Sequence, residues 1–147
     1  MIHLLDVNLL VALAWPNHIH HATALGWFRR NQSAGWATCP LTESGFVRVS
    51  SNSSVVPETR SPREAIHLLR RIVALPHHVF WQDDVSMASS EFMEEVPLTG
   101  YRQVTDSHLL ALAQQRGGRL ATLDGGVRNL VPRGRDAAEI LCFVLEE

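Results

Sequence analysis

Met1-Ile2-His3-Leu4-Leu5-Asp6-Val7-Asn8-Leu9-Leu10-Val11-Ala12-Leu13-Ala14-Trp15-Pro16 opens the chain. Its first five residues form a short apolar run, closed by a carboxylate. A second apolar run, Leu9 to Leu13, follows and stops at Trp15-Pro16, where proline cannot continue a helix. The stretch reads as a buried strand, an acid at the strand end, and a helix. In a parallel α/β sheet, strand ends and helix starts gather along one edge, where ligands bind. Asp is also a favoured helix cap. The two roles are compatible, because a cap position aims the side chain outward.

Three more carboxylates stand at comparable places. Asp124 closes Leu120-Ala121-Thr122-Leu123 and precedes Gly125-Gly126, so it also reads as a turn residue. Glu43 follows Gly35-Trp36-Ala37-Thr38-Cys39 by a Pro-Leu-Thr turn. Asp106 lies in the first turn of a helix, where negative charge suits the macrodipole. Each has a local structural reading when taken alone. Gathered at one edge, the four would repel each other unless a cation lay between them. The pattern points to an acidic pocket for Mg²⁺ or Mn²⁺, with Asp6 and Asp106 as first choices for direct ligands.

The remaining segments extend the same alternation. His20 to Asn31 reads as a helix with Ala24, Leu25, Trp27 and Phe28 on one face. Thr42 to about Val49 reads as another, followed by a polar loop from Ser50 to Pro57. Ser61-Pro62-Arg63-Glu64 has a cap, a proline at the first helical position and a capping-box acid. Val79-Phe80-Trp81 reads as a strand, and a short helix is expected around Ala88 to Met93. Val104-Thr105-Asp106-Ser107 starts a helix ended by Gly117-Gly118. Leu120 to Leu123 and Ile140 to Leu145 are the last strands. Strands interleaved with helices imply an α/β fold: a mainly parallel central sheet flanked by helices on both faces. No linker interrupts residues 1–147, so a single domain is expected.

Bulk composition fits that reading. The chain has 147 residues, 46% apolar and 19% charged, with a net charge of −2. That length fits one domain with a sizeable core. No apolar run is long enough to cross a membrane. The first strand lacks the basic start of a signal peptide, and a cytoplasmic protein is expected. Cys39 and Cys142 have no metal-motif spacing and are expected to be buried free thiols. All 13 basic residues are arginine. This removes any mechanism that needs lysine, including that of a phospho-acceptor receiver domain.

Other chemistries lack their motifs. His18, His20, His21, His77 and His78 show no zinc pairing with a cysteine or carboxylate and read as exposed. There is no Gly-x-Ser-x-Gly elbow, P-loop or dinucleotide fingerprint.

Four segments together carry a resemblance: Leu4-Leu5-Asp6-Val7-Asn8-Leu9-Leu10, Leu41-Thr42-Glu43-Ser44-Gly45-Phe46-Val47-Arg48, Val104 to Ala113 with Thr105-Asp106-Ser107-His108, and Gly118 to Asp124. They resemble the PIN-domain ribonucleases, and among these the VapC toxins of bacterial toxin–antitoxin pairs. The resemblance spans nearly the whole chain and implies a PIN domain over 1–147. It implies a metal-dependent endoribonuclease that hydrolyses phosphodiester bonds with a metal-activated water. The family's metal-binding acids fall on Asp6, Glu43, Asp106 and Asp124. Its polar orienting residues fall on Asn8 and Thr105.

An acidic pocket needs positive charge nearby to hold RNA, and Arg48, Arg102 and Arg128 are candidates by their closeness to the acidic segments. The resemblance further implies a cognate antitoxin and a homodimer. Trp15, Trp27 and Phe28 are expected either to line a groove for the antitoxin or to pack in the core. The alternative functions are a non-catalytic partner-binding module of the same fold and an acidic-pocket phospho-acceptor domain, the latter disfavoured by the missing lysine.

Overall fold

In the computed structural model, residues 1–57 and 61–141 are described. The strands are β1 (His3–Leu5), β2 (Trp36–Thr38), β3 (His78–Phe80), β4 (Arg119–Thr122) and β5 (Ala138–Ile140). The helices are α1 (Val7–Ala14), α2 (His21–Asn31), α3 (Pro40–Ser50), α4 (Pro62–Val73), α5 (Glu91–Glu95) and α6 (Val104–Gln115). All strand pairs are parallel, in the order β3-β2-β1-β4-β5. The expected alternation and the parallel sheet are both present. Cys142 and most of the expected last strand lie outside the described residues.

The strand order explains where a ligand fits. From β1 the chain adds β2 and β3 on one side, then returns to add β4 and β5 on the other. The order therefore reverses between β1 and β4, and the crevice beyond their C-terminal ends is the usual ligand position in such sheets.

Successive strand residues face opposite sides, dividing the core in two. Leu4, Ala37 and Leu120 pack with Leu109, Leu112 and Phe92 beneath α5 and α6. Leu5, Trp36 and Ala121 pack with Leu9, Phe28, Phe46 and Leu69 beneath α1 to α4. Trp15, Trp27 and Phe28 are 9%, 5% and 7% exposed. They are core residues, and the groove assignment made for them is withdrawn. Trp15 Nε1 donates to Ser50 Oγ at 3.1 Å and Trp27 Nε1 to Glu139 Oε1 at 2.9 Å, so both indoles are also satisfied as buried groups.

Local signals set the helix ends. Ser61 Oγ accepts from the Glu64 backbone N–H, the capping bond expected there. Ser90 Oγ caps α5 in the same way through Met93, so this helix begins three residues later than the sequence pattern indicated. Gly117, at φ +68°, ends α6 in the left-handed region that favours glycine. Gly45 lets α3 approach α1: a Cβ there would lie 2.5 Å from Val7 Cγ2. No helix among the described residues is long and apolar enough to cross a membrane.

Candidate metal and nucleic-acid site

Asp6 follows β1 directly and caps α1, as the strand–acid–helix pattern requires. Its Oδ1 accepts from the Val7 backbone N–H at 2.7 Å. Its Oδ2 accepts from Thr122 Oγ1 at 2.7 Å. The residue is 6% exposed. Burial raises its pKa above the ordinary carboxylate range, and the two hydrogen bonds oppose that rise.

Thr122, the last residue of β4, joins the neighbouring parts. Its fully buried hydroxyl donates to Asp6 and accepts from Asn8 Nδ2 and the Asp124 backbone N–H, both at 3.1 Å. Asn8 Oδ1 accepts in turn from the Leu123 N–H at 3.1 Å. Sequence reasoning missed Thr122, because a threonine inside a strand reads as an ordinary β-former. Its one signal is its position two residues before Asp124.

Asp124 Oδ1 accepts from the Gly126 N–H at 2.8 Å and caps a 3₁₀ turn, Gly125–Leu130. The turn reading of this residue is therefore correct, and it does not remove Asp124 from the site. Asp106 sits in the first turn of α6. Its pKa is raised to about 6, first by burial and then by the charges of Asp6 and Asp124. Neighbouring acids that hinder each other's ionisation form one electrostatic unit.

Asp6, Asn8, Thr105, Asp106, Asp124 and Arg48 line one cavity of about 430 Å³. His18 lines it as well. His18, His20 and His21 are half-buried, which corrects the exposed reading: His18 Nδ1 accepts from the His20 N–H at 3.0 Å and His21 Nδ1 lies 2.8 Å from Ala12 O.

The other predicted residues lie off this cavity. Glu43 Oε2 accepts from Thr38 Oγ1 at 2.5 Å, and Glu43 is not among the cavity's lining groups. Arg102 lies against the Tyr101 ring, its guanidinium carbon 5.7 Å from the centroid, and Arg128 is exposed on the turn after Asp124.

Among the described residues, no three His, Cys, Asp or Glu side chains form a ready-made metal cage. The donor set nevertheless suits Mg²⁺ or Mn²⁺. It consists of carboxylate oxygens without sulfur, and such ions keep several waters while using one or two carboxylates. Burial, and after it the charges of Asp6 and Asp124, raise the Asp106 carboxyl, and a bound cation would relieve the part due to the neighbouring acids.

The PIN domain family profile matches residues 3–131 of this sequence. The chain belongs to the PIN-domain family. It is similar to Ribonuclease VapC38 of Mycobacterium tuberculosis, at 52% identity over 96% of this chain and 99% of that protein. Ribonuclease VapC39 of the same organism is 47% identical over 89% of this chain and 94% of its own length. Ribonuclease VapC44 is 40% identical over 84% and 87%. The profile match, residues 3–131, includes all four acidic segments.

Proposed function

We propose that this chain is a metal-dependent endoribonuclease, the toxin of a VapC-type toxin–antitoxin pair. The observation that carries this reading is the convergence of Asp6, Asp106 and Asp124 on one cavity, with the Asp106 carboxyl raised to about 6. The ribonuclease names of the similar VapC proteins support the substrate class.

Asp6, Asp106 and Asp124 are the residues proposed to hold Mg²⁺ or Mn²⁺, with Glu43 as the fourth acid of the set. When bound, the ion supplies Lewis acidity, which acidifies water and offsets charge on a phosphate oxygen. Thr122 holds the Asp6 carboxylate in one orientation and Asn8 locks Thr122 to the next loop. Thr105 stands at the cavity rim beside Asp106. Arg48 lines the same cavity and is proposed to take a phosphate of the bound strand. Arg102 and Arg128 are proposed to hold flanking phosphates farther out.

An antitoxin protein, a homodimer, a cytoplasmic location and one domain over residues 1–147 complete the proposal. The 52% identity to Ribonuclease VapC38, over 96% of this chain and 99% of that protein, supports them.

The deciding experiment incubates purified full-length protein with RNA in chelator, then adds Mn²⁺ or Mg²⁺. Cleavage that appears only with the ion, and is absent in Asp106→Asn, supports the reading. Cleavage undiminished by excess chelator defeats it, as does full activity in Asp106→Asn. A non-catalytic partner-binding module predicts no cleavage under any of these conditions.

A further inference from the structure

Glu43 enters the proposed chemistry through a short chain of side chains that begins on an edge strand. Thr38, at the end of β2, is fully buried. Its single hydroxyl has two partners: Glu43 Oε2 at 2.5 Å and His78 Nε2 at 2.7 Å. A hydroxyl carries one proton, and an ionised carboxylate only accepts. The short O···O separation is that of a hydroxyl donated to a charged oxygen. Thr38 therefore donates to Glu43, and its lone pair is left to accept from His78 Nε2–H. The direction of both bonds fixes the imidazole tautomer.

Each link is held from behind. His78 on β3 is the register partner of Trp36 on β2, and the two rings lie 4.7 Å apart between centroids. Phe28 packs edge-on against Trp36, at 5.2 Å. At the far end, α3 is seated by the contact of Gly45 with Val7, the residue after Asp6. The carboxylate thus has one oxygen tethered on each molecule and the other left for a further partner. A long, flexible acid would otherwise spread over several rotamers.

We propose that Thr38 and His78 are positioning residues for Glu43: His78 orients the Thr38 hydroxyl, which holds the Glu43 carboxylate in one orientation. The inference rests on the proposed metal-dependent activity, with Glu43 as its fourth acid. Neither residue touches the reacting atoms.

The test uses full-length protein, with calorimetric Mn²⁺ binding in the absence of RNA as the main readout. Thr38→Val and His78→Leu should each weaken Mn²⁺ binding about tenfold, as loss of a group that orients a metal ligand commonly does. Thr38→Ser and His78→Gln restore a hydroxyl and an N–H donor, and should stay within about twofold of the parent on the same reasoning. Adding Thr38→Val to Glu43→Gln should cause no further loss, since the two act in series. Nitrogen-15 NMR of the metal-free parent at pH 7.5 should find the His78 proton on Nε2. The proton on Nδ1 would overturn the proposal. So would parent-like Mn²⁺ binding in His78→Leu. If Glu43→Gln weakens binding and Thr38→Val does not, the positioning role alone fails. If Glu43→Gln also binds like the parent, the fourth-acid reading fails with it.

Discussion

Thr122 Oγ1 donates to Asp6 Oδ2 at 2.7 Å, and this one bond joins the end of β4 to the end of β1. It crosses the point where the strand order reverses. The same hydroxyl accepts from Asn8 and from the Asp124 N–H. Thr122→Val keeps the shape and deletes all three bonds. The expected cost is about 1–3 kcal/mol in denaturant melts, because buried polar partners are left unsatisfied. Cleavage should fall with it, and Thr122→Ser should recover most of both. Parent-like melts and rates for Thr122→Val would show that the bond does not hold Asp6.

Amide substitutions at the acids should separate two effects. Asp106→Asn removes a charge raised to about 6 by burial and its acidic neighbours. In the metal-free protein at neutral pH it should add about 1 kcal/mol of stability, a discounted share of the shift because the group is partly solvated. Asp6→Asn removes charge too, but its two oxygens each accept a hydrogen bond. An amide has one oxygen, so the gain there should be smaller or absent. Both variants should lose RNA cleavage. A lowered thermal midpoint for Asp106→Asn would argue against repulsion in the site.

The pH dependence follows with a definite sign. Asp106 and Asp6 hold protons more tightly when folded than the usual carboxylate does. Their contribution is therefore most favourable at low pH and is lost as pH rises from about 4 to about 6. Buried His3 and half-buried His18 and His78, whose pKa values desolvation lowers, act oppositely: they destabilise the fold as pH falls below their ordinary range. The informative quantity is the difference between parent and Asp106→Asn. The variant's advantage in metal-free melts should grow from about pH 4 to about pH 6 and then level off. An advantage independent of pH would exclude the carboxyl as its source.

Metal should stabilise the parent in proportion to the logarithm of its free concentration above the dissociation constant. The shift should shrink strongly in Asp106→Asn and Asp6→Asn. Mn²⁺ or Mg²⁺ should restore cleavage to chelated protein, and Ca²⁺ poorly, because its looser coordination misplaces the attacking water. Equal stabilisation of parent and variants by Mn²⁺ would place the ion elsewhere.

Among the arginines, Arg48 lines the cavity while Arg102 and Arg128 do not. Arg48→Ala should weaken RNA binding most and reduce its salt dependence by about one counterion. Filter binding of RNA by the inactive Asp106→Asn background at several salt concentrations gives both numbers. Equal losses for all three arginines would indicate a broad charged surface.

The parallel sheet and the edge carrying the acids were legible because their signals are local. Leu4-Leu5-Asp6 and Leu120 to Asp124 each state a strand and its end within a few residues, and Ser61 states its own cap. Glu43 was legible as an acid near that edge, but its direction was not. The side chain is turned by Thr38 and, beyond it, by His78, 35 positions later in the chain. Thr122 stayed hidden for the same reason: its partner Asp6 lies 116 residues away. The aromatic residues Trp15, Trp27 and Phe28 could be read as groove or as core, since periodicity identifies an apolar face without naming what covers it.

The cavity's acids come from positions 6, 106 and 124. A ribosome delivers the chain from its N-terminus, so Asp6 emerges long before Asp106 and Asp124. Thr122, which fastens Asp6, emerges with the last of them. A chain cut short before Asp124 therefore has no assembled acid site, whatever the state of its first strand.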